Sequence, residues 1–187
     1  MNHNTDNDPF MLLSIEDDRC WPPSADPRTE AISAFDPAAP KPLIDLLHSA
    51  DPLVVKRGLF VFGSLGNKAL IAVDAAIESV GHPDMMARSA LMDGLLCYTR
   101  GLTLQQISCL LPLCEDPEGL VRDKMIALLG AISMKTLRAA IDLIENDVDR
   151  VRHLEAFDKS AAPFTSSQEV FDAGMKGELG PVRATSP

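Results

Sequence analysis

The stretch from Asp116 to Ile132 constrains the fold of this chain more than any other segment. Asp116 is a residue type that accepts hydrogen bonds from the first free amides of a helix. Pro117 suits the first helical position, because no N–H donor is needed there. Apolar residues then recur at close to 3.6-residue spacing: Leu120, Val121, Met125, Leu128, Leu129 and Ile132. The stretch predicts one amphipathic helix over residues 116–132.

Weaker copies of this stretch recur along the chain. The copies open at Asp51-Pro52, His82-Pro83, Asp116-Pro117 and Asn146-Asp147. Each carries a basic residue further on, and the resulting column is Arg57, Arg88, Arg122 and Arg152, at intervals of 31, 34 and 30 residues. In the first copy either Lys56 or Arg57 can be the basic residue of the column, so two alignments of that copy, one residue apart, fit the sequence. Repeats with a period in this range indicate a stacked architecture.

A second set of helical segments lies between these copies. Their predicted ranges are 42–48, 67–80, 103–114 and 134–145. Alternation of the two sets predicts helix pairs, which cannot bury their apolar faces alone and must stack. We therefore expect an all-α fold, a right-handed α-solenoid of about four antiparallel helix pairs, over residues 41–158.

The ends of the second-set helices carry recognisable signals. Gly66 can end one helix and Asn67 can cap the next. Thr103 and Gln106 have the spacing of a capping box. Pro112 is expected to kink or end the third of these helices, because it lacks an N–H group.

From residue 41 to about residue 158 the chain resembles HEAT-like and armadillo-like helical repeats. The residues that carry the resemblance are Asp51-Pro52, Asp116-Pro117, Val121-Arg122, Val151-Arg152 and the apolar run from Met125 to Gly130. The resemblance implies a superhelix in which the second helix of each pair lines a concave surface. It implies no particular activity, since such folds serve many functions.

The two ends of the chain differ from the repeats. Residues 1–40 form an acidic, Pro-rich, irregular leader, in which Asp26 to Phe35 can form a short helix capped by Asp26. Trp21 is its one large aromatic residue. The leader is either a cap over the first repeat or an arm that docks on a partner and orders when bound. Residues 159–187 are rich in Ser, Gly, Ala and Pro and predict a flexible, disordered tail.

The chain is acidic, with a net charge of −10. Residues 1–40 hold 2 basic and 8 acidic residues, and residues 41–158 hold 12 and 16. This balance argues against nucleic acid as a partner, because phosphate binding needs a basic surface. It favours a protein partner, and a basic protein would complement the charge. The alternative explanation is that the acidic residues only keep the chain soluble. Without a signal peptide or a long apolar run, we expect a cytoplasmic protein that does not enter a membrane.

The sequence contains no pattern typical of a catalytic or metal site. Its four cysteines, Cys20, Cys97, Cys109 and Cys114, form no C-x-x-C pair and have no histidine at metal-ligand spacing. Gly-rich phosphate loops, G-x-S-x-G and H-E-x-x-H are absent from the sequence. We expect no catalytic residues, no metal and no cofactor.

The arginine column has two interpretations. In HEAT-like repeats such an arginine usually bonds to the aspartate cap of its own or a neighbouring repeat, so the resemblance implies a structural ladder along the stack. Its members would be Asp51, Arg57, Asp116, Arg122, Asn146 and Arg152. The alternative is a basic stripe on the concave face that holds an acidic or phosphorylated ligand.

We expect a partner to bind at the exposed positions of the helices that carry the arginine column, which are the second helices of the predicted pairs. The candidates are Lys56, Arg88, Asp93, Asp123, Lys124 and His153, together with Trp21 in the leader. Their mixed charges suit a protein interface better than a polyanion. The leading hypothesis is a non-enzymatic adaptor, regulator or immunity-type inhibitor. The alternatives are a HEAT-like enzyme of the glycosylase or chromophore-lyase type, and a structural subunit of a larger assembly.

Overall fold

The structure is a computed structural model and describes residues 9–14, 27–144, 146, 148, 149, 151–153 and 155. These residues form helices and turns, and no β-strand occurs among them, which confirms the all-α prediction for this part of the chain. The chain divides into two compact units, Met1–Cys97 (unit 1) and Tyr98–Pro187 (unit 2). Each unit is described by itself below.

Unit 1 is organised around one long helix. Its helices are α1 (Pro9–Leu13), α2 (Pro27–Ala34), α3 (Lys41–Leu47), α4 (Pro52–Leu65), α5 (Val73–Ile77) and α6 (Met85–Leu96), with a 3₁₀ segment at Gly66–Ala72. Helix α4 packs against α1, α2, α3 and α6. Leu43, Leu59, Phe62 and Leu91 are fully buried among these helices. The described parts of the leader, α1 and α2, therefore belong to the same core as the first repeat helices.

Helix α4 begins and ends at residues that the sequence marks. Asp51 is its N-cap, with the side chain accepting a hydrogen bond from Leu53 N–H, and Pro52 is its first residue. Gly66 ends it with a φ of +52°, a left-handed value that favours glycine. The predicted helix over 67–80 is wrong as one α-helix. The 3₁₀ segment begins at Gly66 itself, so Asn67 is not an α-helix cap, and α-helical structure resumes only at Val73.

Unit 2 contains α7 (Leu104–Leu110), a 3₁₀ segment (Leu111–Glu115), α8 (Gly119–Gly130) and α9 (Met134–Ile141). Residues 148–149, 151–153 and 155 are also helical. Helix α7 packs against α9, and the 3₁₀ segment packs against α8. The side chains of Ile107, Leu110, Met125 and Leu137 are fully buried here.

Two predictions about α7 are confirmed. The Thr103 hydroxyl accepts from Gln106 N–H, and the Gln106 side chain accepts from Thr103 N–H, which completes the capping box. The helix ends at Leu110, before Pro112. The Ser108 carbonyl, which residue 112 would bond in an α-helix, accepts instead from Leu111 N–H. The chain therefore tightens into a 3₁₀ turn at the proline.

The predicted helix over 116–132 is shorter than expected. Helix α8 starts at Gly119, so Pro117 precedes it by two residues. The Asp116 side chain accepts from Glu118 N–H as Asp51 accepts from Leu53 N–H, but here the N-cap is Glu118 and the turn lies before the helix. Leu120, expected on the apolar face, is exposed, whereas Asp123 is buried.

Candidate functional site

The four turns that precede the arginines of the column share one hydrogen bond, which Asp36 and Ser49 also make outside the column. Asp51 Oδ1 accepts from Leu53 N–H at 2.8 Å, and Asp116 Oδ1 accepts from Glu118 N–H at 2.9 Å. Asn146 Oδ1 accepts from Val148 N–H at 2.9 Å. His82 takes the same place in the second copy, with Nδ1 accepting from Asp84 N–H at 3.1 Å. In each copy a side chain accepts the amide proton of the residue two positions further on.

These four turns favour one register for the arginine column. An arginine follows each turn residue by six positions: Arg57, Arg88, Arg122 and Arg152. Arg57, not Lys56, therefore belongs to the column. His82 was missing from the set of structural residues predicted from sequence. Counting six positions back from Arg88 would have identified it, although its residue type differs from aspartate and asparagine.

Two of the arginines hold the turn that precedes their own helix. Arg88 Nη1 donates to the carbonyl oxygens of His82 (2.7 Å) and Pro83 (3.2 Å). Arg122 Nη1 donates to the carbonyls of Asp116 (2.6 Å) and Pro117 (3.4 Å). The acceptors are the backbone carbonyls at positions −6 and −5, whereas the ladder prediction expected aspartate side chains. A guanidinium suits this role because it is planar and carries several donors.

The other two arginines make different contacts. Arg57 is buried and its Nη1 donates to the carbonyl of Leu13 at 3.2 Å, which connects α4 to α1. Arg152 lies at the surface, with Nε 2.7 Å from Glu115 Oε1 and Nη2 3.0 Å from Asp149 Oδ1. The four residues of the column therefore share a register but not one bonding pattern.

Two contacts join the first two copies within unit 1. Lys56 Nζ of α4 lies 2.7 Å from Asp84 Oδ2, and Asp84 is the N-cap of α6. The hydrogen bond from Lys56 holds the pKa of the Asp84 carboxyl below its ordinary value, against the opposing effect of burial. The second contact is between His82 Nε2 and the Pro52 carbonyl, at 2.9 Å. The start of α6 is thus attached to the start of α4.

Two exposed apolar residues lie in the same helix starts as the ion pair. Leu53 is the second residue of α4 and is 37% exposed; Met86 is the second residue of α6 and is 43% exposed. We call Leu53, Lys56, Asp84 and Met86 the unit 1 edge. In unit 2 the second residue of α8, Leu120, is 45% exposed. Single exposed apolar residues are common on protein surfaces. Met86 and Leu120 each follow their turn residue by four positions, whereas Leu53 follows Asp51 by two.

A crevice of about 440 Å³ opens beside this edge in unit 1. It is lined by residues from the end of α3, the start of α4 and the turn between α5 and α6. His48 Nε2 and Glu78 Oε2 lie 3.4 Å apart on its wall, both largely exposed, and His82 is the buried histidine of its lining. Within the described part of the chain no group of three His, Cys, Asp or Glu side chains could hold a metal ion.

The predicted partner-binding residues divide by exposure. Lys56 is partly exposed on the unit 1 edge, Asp93 is exposed on α6, and Lys124 is half-buried on α8. The expectation that Arg88, Asp123 and His153 lie on an open surface is wrong, because all three are buried. Arg88 is turned toward the backbone carbonyls of its own turn. Trp21 lies outside the described residues.

His153 and Asp123 are two of the buried titratable groups of unit 2. His153 Nδ1 lies 2.9 Å from Glu115 Oε1, but the arrangement does not meet hydrogen-bond geometry. Burial lowers the pKa of His153, and the nearby Glu115 carboxylate opposes that shift. Burial raises the pKa of Asp123, and the neighbouring Arg122 guanidinium opposes the shift. Both groups are therefore shifted toward their neutral forms.

The described cysteines differ in accessibility. Cys97 and Cys109 are exposed free thiols, whereas Cys114 is buried. Burial raises the pKa of Cys114 to about 12. Because the thiolate is the reactive form, Cys114 is a poor nucleophile in the folded protein.

One helical run is long and apolar enough to cross a membrane when judged by length and composition alone, which the sequence analysis did not expect. It covers Pro52–Ile77, 26 residues that include α4, the 3₁₀ segment and α5. Half of its most apolar stretch is buried inside the protein. Core helices of folded domains meet the same criteria, so the run is weak support for a membrane span.

Comparisons of the chain with protein-family models, with curated proteins and with solved structures found no match. The likeness to HEAT-like repeats therefore rests on the recurring turn and arginine alone.

Proposed function

We propose that this chain is a short, non-enzymatic, HEAT-like solenoid that binds another protein. Support for the repeat comes from the four turns, each with a side-chain acceptor and an arginine six residues later. A turn of constant geometry before each second helix is what successive units of a stack require. A right-handed stack of antiparallel helix pairs is part of this proposal.

The unit 1 edge is the observation that carries the binding proposal. It combines two exposed apolar side chains, Leu53 and Met86, with the Lys56–Asp84 ion pair between their helices. Apolar anchors beside charged groups are typical of protein interfaces. Met in particular adapts to irregular apolar surfaces. The ion pair also fixes α6 relative to α4, so the two anchors are held in place before binding.

The net charge of −10 favours a basic partner. Complementary charge speeds association and makes it sensitive to salt. An adaptor, a regulator and an inhibitor that covers a basic enzyme all satisfy this description.

The experiment is a capture assay with the immobilised full chain and extract of the source cells, with identification by mass spectrometry. Wild type is compared with Met86→Asp and Leu53→Asp, which place a charge on the edge. Ile71→Asp is the matched control, because Ile71 is an exposed apolar residue of the same unit that follows the end of α4, whereas the edge residues belong to the starts of α4 and α6. Circular dichroism of each variant verifies the fold.

We expect one protein to be retained by wild type and Ile71→Asp, and lost from both edge variants. Retention should weaken as salt is raised, because the partner is basic. Equal retention by all four proteins would place the interface elsewhere. If wild type retains no protein, or if the purified chain turns over a substrate, the binding proposal is wrong.

A further inference from the structure

His82 is the one imidazole among the four equivalent turn residues. The other three, Asp51, Asp116 and Asn146, accept the amide proton through an oxygen atom. An amide oxygen does not titrate, and an aspartate ordinarily takes up a proton only near pH 4. Imidazole is the side chain whose charge ordinarily changes between pH 5 and 8. The second turn therefore has a chemistry that the other three lack.

Both ring nitrogens of His82 are engaged, and together they specify a tautomer. Nδ1 accepts from Asp84 N–H, so it carries no proton. The neutral ring then has its proton on Nε2, which donates to the carbonyl of Pro52 at 2.9 Å. The first of these bonds forms the turn before α6, and the second connects that turn to the start of α4. His82 is buried, which limits rearrangement of the ring.

We propose that His82 makes the junction between α4 and α6 sensitive to protons. A proton added to Nδ1 would point at Asp84 N–H, so two donors would face each other and the hydrogen bond would be lost. Asp84 is also the N-cap of α6 and the partner of Lys56. Protonation therefore loosens the turn before α6 at its bond to Asp84 N–H, whereas Nε2–H still donates to the Pro52 carbonyl. The device concerns the fold of unit 1 and does not depend on the proposed partner.

The charges around His82 decide how easily it takes up a proton. The titratable and charged side chains nearby are His48 at the end of α3, Asp51 and Lys56 at the start of α4, Glu78 at the end of α5, and Asp84 and Arg88 at the start of α6. Asp84 is already paired with Lys56. Arg88, bonded to the carbonyl of His82 itself, adds a positive charge close to the ring.

The first measurement is the tautomer of His82 in the full chain at pH 7.5, from long-range ¹H–¹⁵N spectra of the imidazole ring. We expect the form with the proton on Nε2. The other tautomer would contradict the hydrogen bond from Asp84 and overturn the proposal. This test needs no variant, so it stands even if substitutions at residue 82 fail to fold.

The second measurement is amide hydrogen exchange of Asp84 at pH 7.5 and pH 5.5, corrected for the intrinsic effect of pH. In wild type we expect protection to fall about tenfold at the lower pH, the scale of losing one hydrogen bond. His82→Asn should show no such fall, because asparagine makes the same turn at residue 146. His48→Asn, which removes the exposed histidine of the same crevice, should behave as wild type.

A local readout is chosen because the buried His153 of unit 2 contributes its own pH dependence to any global measurement. Protection of Asp84 that does not change with pH in wild type would overturn the proposal. So would an equal loss in wild type and His82→Asn.

Discussion

Gly63 of α4 lies directly against the carbonyl oxygen of Ala90 in α6. A Cβ atom on Gly63 would sit 2.6 Å from that oxygen, closer than real Cβ atoms approach any atom. A second glycine, Gly94 of α6, faces the ring of Phe62 in the same way. Helices α4 and α6 therefore approach each other closely because each lacks a side chain where the other one packs.

We predict that Gly63→Ala destabilises unit 1 by about 1–3 kcal/mol, the usual effect of overfilling a packed interface. The obstacle is backbone, which cannot turn aside as a side chain can, so the helices must separate. This outweighs the gain of about 1 kcal/mol that alanine ordinarily brings to a helix. Urea unfolding measures the change.

Gly81→Ala is the matched control for Gly63→Ala, because a Cβ at Gly81 meets nothing within 4 Å. Its effect should stay within about 1 kcal/mol in either direction. Equal effects of the two substitutions would show that the contact with Ala90 does not decide the result.

The arginines that hold the turns give a second prediction. Arg88→Met and Arg122→Met each remove a guanidinium that donates to two backbone carbonyls. Each should destabilise its own unit by about 1–3 kcal/mol, because carbonyls beside the helix start lose their donor. Arg100 is exposed, and Arg100→Met should change stability by less than about 0.5 kcal/mol. If all three variants unfold alike, the column does not hold the turns.

Features set by neighbours in the sequence were predictable, and features set by tertiary packing were not. The Thr103–Gln106 capping box and the cap of Asp51 on α4 depend on residues two or three positions apart. The start of α8 was placed too early, because Asp116-Pro117 has the same letters as Asp51-Pro52 but forms a turn outside its helix. A dipeptide pattern does not distinguish these two outcomes.

The candidate site was predicted less well than the fold. Arg88 and His153 are polar, so the sequence suggested an exposed surface, yet the structure buries both. Burial of a long polar side chain depends on whether a carbonyl or a carboxylate lies within reach, which only the packed chain determines. The apolar part of the unit 1 edge was not predicted at all. Leu53 and Met86 are absent from the predicted binding residues, yet each is exposed in the first turn of its helix.

His153 predicts a pH dependence in unit 2. Burial lowers its pKa in the folded protein below the ordinary value of 6.5. The unfolded chain therefore takes up the proton first as the pH falls. The stability of unit 2 should be complete above pH 6.5 and decline below it, until the folded form is also protonated. His153→Gln should remove this decline, whereas His48→Gln, at an exposed histidine of unit 1, should leave it in place. Hydrogen exchange of the amides of α8 measures it.

Asp123 predicts the opposite pH dependence, because it lowers the stability of unit 2 at neutral pH and does so less as the pH falls. Its side chain lies on α8 with only 8% of the residue exposed, and burial raises its pKa above the ordinary value of 3.8. The folded state therefore holds the ionised form less favourably than the unfolded chain does, so this group lowers stability at neutral pH. Asp123→Asn should raise the urea midpoint of unit 2 at pH 7, because the amide carries no charge to desolvate.

The advantage of Asp123→Asn should shrink as the pH falls through the raised pKa of the folded state, and it should vanish below 3.8, where the wild-type carboxyl is protonated in both states. Asp142→Asn makes the same change in charge at an exposed position of unit 2, so it separates the effect of burial from that of net charge. An equal gain from both variants would mean that relief of the net negative charge is the cause. A loss of stability in Asp123→Asn at pH 7 would mean that the ionised carboxylate contributes favourable interactions in the folded state.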